Sequence, residues 1–179
     1  MIFRVKDVTN GMMAAVSMVL GMLIKCMVMV YSLTQMVDVT KKDDSRRTAV
    51  AEGQIVMEQG TLARILDGRT DKGDPIQVAQ LAGIMAGKKT ADLIPLCHAL
   101  PGASVEVILD VDTGLPGLRA RATATYRGKT GVEMEALTAV SVALLTVYDM
   151  VKAVDRGMRI EGIRLLSKEG GATGSWSAP

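Results

Sequence analysis

Aromatic residues are scarce in this chain of 179 residues: one Phe, one Trp and three Tyr. Binding to single-stranded nucleic acid leans on aromatic rings that stack on bases, and five rings leave little for it. A net basic face is lacking too. The formal charge is +2, and Arg4, Lys6 and Lys25 against Asp7 account for all of it, leaving eighteen basic and eighteen acidic residues from Asp38 onward. That balance argues against a nucleic-acid partner. Cysteine is limited to Cys26 and Cys97, in very different segments. A disulfide framework is thereby disfavoured and a reducing compartment is the default. His98 is the only histidine. One His beside one Cys cannot complete a zinc site, which takes three or four ligands, so no metal site is expected. No organic cofactor motif is present, and none is expected. Gly128-Lys129-Thr130 is not a Walker phosphate loop, because that pattern needs glycine where this chain has Thr123.

What is present fits one compact domain plus something extra. The extra part is N-terminal. Met12 to Leu33 is apolar apart from Ser17, Lys25 and Ser32, and eight of the thirteen methionines fall within the first thirty-six residues. The run is long enough to span a bilayer, for which ~20 apolar residues suffice, although Lys25 near its centre penalises insertion. As a secretory signal it lacks an Ala-x-Ala-like cleavage site. The favoured expectation is that translation starts internally, at Met29 or Met36, which makes residues 1–35 an apolar extension and residues 36–179 the catalytic domain. A membrane association is then not expected.

Beyond Met36 helices and strands alternate. Thr48 to Met57 reads as a strand and Thr61 to Leu66 as a short helix stopped at Gly68. Asp74-Pro75-Ile76-Gln77 is a helix start: an acidic N-cap, Pro at the first position and Gln able to close a capping box. That helix should reach about Gly87. Val105, Val107, Leu109 and Val111 alternate with polar partners, as do Leu118, Ala120, Ala122 and Ala124, and Thr113 to Gly117 joins the two strands as a hairpin. A long helix from Val132 to Val154 and a strand from Met158 to Leu166 follow. Antiparallel strands with long helices on one face predict a two-layer α+β domain.

Several residues carry chemistry. Asp149 and Lys152, three apart on an otherwise apolar helix, share a face and form either an ordinary ion pair or a working acid/base pair. Lys72 precedes a helix N-terminus and has Gly73 beside it, a setting that attracts anions, although a solvated loop lysine is the commoner fate. Glu133 pairs with Thr130 in the spacing of a capping box. Glu135 has no such explanation. Arg46-Arg47, Lys88-Lys89 and Lys129 are supplementary candidates for phosphate contact. Cys97 has no adjacent cation to lower its pKa, which disfavours a reactive thiol. The tail Gly170 to Gly174 reads either as a flexible terminus or as a phosphate-cradling lid.

Five blocks in register go further: Lys72-Gly73-Asp74, Asp92 to His98, Gly128 to Leu137, Tyr148 to Val154, and Arg164 to Lys168. Over roughly Met36 to Trp176 the chain resembles the molybdenum cofactor biosynthesis protein C family, the cyclic pyranopterin monophosphate synthases. Met36-Val37-Asp38-Val39 looks like that family's opening strand. The resemblance implies a ferredoxin-like fold and a cytoplasmic enzyme, a phosphorus–oxygen lyase. Its substrate would be 3′,8-cyclo-7,8-dihydroguanosine 5′-triphosphate, rearranged to cyclic pyranopterin monophosphate with loss of pyrophosphate. It further implies catalytic roles for Lys72, Asp149 and Lys152 and substrate contact by Leu96, Cys97, His98, Met134, Glu135 and Lys168, with Glu133 either joining them or serving only as a cap. A homo-oligomer, a hexamer built as a trimer of dimers, is implied as well. A non-catalytic pterin- or nucleotide-binding module is the rival, and its mark would be loss of Lys72, Asp149 or Lys152. All three are present.

Overall fold

Alternation of small apolar and polar residues builds the central strand, β1 (Ser45–Val56), whose Ala49, Ala51 and Ile55 are buried. A short helix, α2 (Gln59–Leu66), buries Leu62 and Ile65. Then comes α3 (Pro75–Gly87), started as the sequence predicts: the Asp74 carboxylate accepts from the backbone N–H of Ile76 at 2.8 Å and of Gln77 at 3.2 Å, and Pro75 occupies the first turn. A single turn, α4 (Thr90–Leu93), leads through the Leu96–His98 loop to the hairpin β2 (Ser104–Asp112) and β3 (Gly117–Gly128). The long helix α5 (Glu133–Val151), the strand β4 (Arg159–Glu169) and a two-residue strand β5 (Trp176–Ser177) complete the order.

All pairings are antiparallel and the sheet runs β2-β3-β1-β4-β5. Without β5 this is the β-α-β-β-α-β arrangement with α3 and α5 as its helices, the ferredoxin-like topology. The fold class expected from the sequence is the one observed. Packing follows from size. Ala120, Ala122 and Ala124 of β3 point to the helices with Ala49 and Ala51 beside them, and these short side chains let α5 lie close with Ala136, Ala139, Val140, Ala143, Leu144 and Val147 buried. Gly117 marks a close backbone approach, since a Cβ there would overlap the Ile55 carbonyl.

The computed structural model describes residues 16–25, 35–68, 70–172 and 174–179. It divides into two units, Met1–Val37 and Asp38–Pro179. In the first, Val16–Lys25 is a helix, α1. The remainder of the apolar run, with Cys26 and Met29, lies outside the described residues, as does Thr173 of the tail. Among the described residues, α5 is the one helix long and apolar enough to cross a membrane, and most of it is buried against the sheet.

Four expectations need correction. Residues 36–39 form no strand; the Asp38 carboxylate instead accepts from the Thr40 N–H at 2.8 Å and Lys42 N donates to Val39 O at 3.0 Å, which makes a turn. Thr130 and Glu133 make no capping box, because Val132 is the N-cap and no side chain caps it. The helix ends at Val151 rather than Val154, and β4 continues to Glu169, held by its register with Thr48 to Val50 of β1. The single turn α4 and the strand β5 were not expected.

Candidate active site

At the C-terminal end of α5 one carboxylate receives two ammonium groups. Lys152 Nζ stands 2.7 Å from Asp149 Oδ1 and Lys72 Nζ 2.9 Å from Asp149 Oδ2. Lys72 also donates to the Asp149 carbonyl at 3.1 Å, so a lysine 77 positions upstream, just before α3, caps α5. All three side chains are about half exposed. The bonds from Lys152 and then Lys72 hold the Asp149 carboxyl down at about 2, and the bond to Asp149 raises Lys152. Asp149 is therefore a permanent carboxylate and Lys152 a firmly held ammonium.

The N-terminal end of α5 is different. Glu133, freed from capping, accepts from Lys168 Nζ at 3.0 Å in a partly buried pair. Both line a cleft of about 320 Å³ whose walls also carry Lys42, Arg47 and Lys129. Four cations against two carboxylates, Glu133 and Glu169, make this cleft suited to an anion. Arg47 donates through Nε and Nη2 to the carbonyls of Gly128 and Lys129, each at 3.2 Å, and Lys129 Nζ donates to Thr40 O at 2.7 Å.

Two positions further along the helix, Glu135 is 2% exposed and its Oε2 has no partner among the described residues. The Cys97 thiol approaches its Oε1 at 4.0 Å. Burial, reinforced by neighbouring Glu133, pushes the Glu135 carboxyl up, and burial followed by the charge of Glu135 pushes the Cys97 thiol up. Cys97 is thus no ready nucleophile. Glu135 also lines a second hollow of about 280 Å³ with Lys88 and Lys89. Leu96 and Met134 are exposed and His98 half-buried.

The candidate residues thus fall into two groups at opposite ends of α5. Lys72, Asp149 and Lys152 are together; Cys97, Glu133, Glu135 and Lys168 lie around the other end. Fourteen residues at ~1.5 Å each separate Glu135 from Asp149 by about 21 Å along the axis. Lys42 was missed, since nothing marks it among its sequence neighbours. Glu52 was missed as well: on the open face of the sheet it accepts from Arg164 Nε at 3.1 Å and Nη2 at 3.0 Å, with Arg121 at 3.8 Å. Only the strand register brings those three into one row. Among the described residues, no group of three or more His, Cys, Asp or Glu is placed to hold a metal ion.

Fold and site together describe a ferredoxin-like α+β protein with charged constellations at both ends of its core helix. The sequence profile of the MoaC family matches residues 36–171, and the chain belongs to that family. Relatives named cyclic pyranopterin monophosphate synthase support the assignment. One from Methylobacterium sp. is 62% identical over 143 residues, covering 80% of this chain and 89% of the relative. Another, from Cereibacter sphaeroides, is 59% identical over 143 residues, covering 80% and 90%. A third, from Brucella ovis, is 58% identical over 142 residues, covering 79% and 86%. The resemblance seen in the sequence is borne out, and the chain is an enzyme of this family. A de novo designed protein with ferredoxin fold matches at 15% identity and TM-score 0.32, covering 74% of this chain and 93% of that one, too weakly to add to the strand order.

Proposed function

We propose that the protein is a cyclic pyranopterin monophosphate synthase of molybdenum cofactor biosynthesis, acting in the cytoplasm on 3′,8-cyclo-7,8-dihydroguanosine 5′-triphosphate and releasing pyrophosphate. The observation that carries this reading is the pairing of one permanent carboxylate, Asp149, with two ammonium groups, Lys72 and Lys152, at 2.9 and 2.7 Å. Opening a purine-derived ring and closing a pterin needs several proton transfers, and positioned ammonium groups can donate them. Because its bond to Asp149 raises its pKa, Lys152 starts the cycle protonated and serves as acid; Asp149 holds both lysines charged and oriented. Closing the cyclic phosphate joins a sugar-derived hydroxyl oxygen to the α-phosphorus and breaks the bond to the β-phosphate. The departing pyrophosphate needs cations, which the cleft lined by Lys42, Arg47, Lys129 and Lys168 offers. Leu96, Cys97, His98, Met134 and Glu135 contact the substrate, with Glu133 anchoring Lys168.

Substrate contact at both ends of α5 requires a second copy. In an antiparallel pair of helices across a two-fold axis, one chain's Glu135 lies beside the other's Asp149. The working unit is a dimer with composite sites, three dimers making a hexamer, and residues 36–179 carry the activity. Incubating the full chain, and in parallel Met36–Pro179, with the cyclised GTP intermediate tests this. Both should release pyrophosphate and form the cyclic phosphate. Binding without release would favour a non-catalytic binding module, and an inactive Met36–Pro179 beside an active full chain would overturn the domain assignment.

A further inference from the structure

After β4 the tail turns through Gly170 and Gly171, whose φ values are +90° and +83°, and is closed by a hydrogen bond from Gly174 N to Gly171 O at 3.2 Å. The two glycines meet different neighbours. A Cβ on Gly170 would overlap the Arg46 carbonyl, which is sheet backbone and cannot yield. A Cβ on Gly171 would overlap Arg47 Nη1, the far end of a flexible side chain, which can. Movement of that guanidinium is not free, because its Nε and Nη2 hold the carbonyls of Gly128 and Lys129, where β3 hands over to the loop before α5. Nη1 takes part in neither bond, and Arg47 lines the cationic cleft with Lys168.

We infer that Gly171 is a positioning residue for this cleft: by lacking a side chain it leaves the space in which Arg47 keeps two backbone bonds and still presents Nη1 to a phosphate chain. The inference rests on the cleft being the triphosphate site. An alanine at 171 forces the guanidinium aside, so that either its backbone bonds or its donors toward the anion are lost. The core lies elsewhere, so beyond the cost of alanine at a positive φ the melting temperature should hardly move.

Alanine at a positive φ carries a conformational cost of its own, and Gly174 isolates it: its φ is +67° and, chain neighbours aside, no atom of the described residues lies within 4 Å of where a Cβ would stand. The experiment is calorimetric titration of pyrophosphate into the full chain, with steady-state turnover, for Gly171→Ala, Gly174→Ala, Arg47→Ala and the double variant Arg47→Ala/Gly171→Ala. Gly171→Ala should weaken pyrophosphate binding about tenfold while Gly174→Ala binds like the unaltered protein, and the double variant should be no weaker than Arg47→Ala alone. The loss should fall on KM more than on kcat. Equal behaviour of Gly171→Ala and Gly174→Ala, or losses that multiply in the double variant, would overturn the role of Gly171. If the unaltered protein takes no pyrophosphate and Arg47→Ala leaves KM unchanged, it is the reading of the cleft that fails, and the inference falls with it.

Discussion

Asp149 is shared between two lysines, and that sharing decides what each residue can do. A carboxyl held at about 2 is ionised at any working pH, so its charge contributes stability above the ordinary aspartate value and loses it only as pH falls through about 2. No neutral-pH limb of the rate profile should belong to it. Since both side chains are about half exposed and their ion pair is screened by solvent, replacing Asp149 or Lys152 by Ala should leave the melting temperature nearly unchanged while turnover falls by about 10²-fold or more. Near-normal activity in either variant would sink the acid/base role. Glu135 behaves oppositely. Burial raises its carboxyl, so the folded state binds the proton more tightly than the unfolded chain does, and the stability this adds disappears as pH rises through the folded value. Glu135→Gln removes that titration. Its melting temperature should fall less steeply from acid to alkaline pH than that of the unaltered protein, and two superimposable pH curves would contradict the burial argument.

Between elements, α3 and α5 meet closely through small residues. A Cβ on Gly83 would stand 2.8 Å from the Ala139 carbonyl and 3.1 Å from the Ala143 methyl, and one on Gly87 would stand 3.1 Å from the Glu135 carbonyl. Helix backbone is what would have to move. Gly83→Val should therefore cost ~1–3 kcal/mol by overpacking, visible as a lower denaturation midpoint, with activity retained at a permissive temperature. A variant as stable as the parent would show that α3 can slide. α3 and α5 were legible in the sequence because Asp74-Pro75 starts one and the other is a long, almost wholly apolar run. The end of β4 was not. Gly162 at φ +66° and the register shifts opposite β1 break its alternation, and its last residues are strand only because Thr48 to Val50 lie beside them.

On the scale of the whole molecule, α5 acts as a ruler that keeps Glu135 and Asp149 about 21 Å apart along its axis. A single chain cannot close that distance around one small ligand. Mixing an inactive Glu135→Ala protein with an inactive Asp149→Ala protein, after dissociation and reassembly, should restore part of the activity, since one site in each mixed dimer regains both residues. Mixtures as dead as their parents, or a fully active monomer by sedimentation, would rule out composite sites.

The sequence alone determined the family and the two-layer α+β class and pointed to most of the charged residues gathered at the candidate site, because those depend on local periodicity, on helix-start chemistry and on blocks of side chains in order. It could not say that Glu133 leaves its cap for Lys168, that Lys72 and Lys152 converge on one carboxylate, or that Glu52 joins Arg164 across the sheet. Each of these contacts joins segments far apart in the chain or replaces a local bond with a distant one, except the turn between Asp149 and Lys152. They come into being only when strand register and helix packing bring the segments together, and the free energy that chooses them belongs to the assembled core rather than to any one stretch of chain.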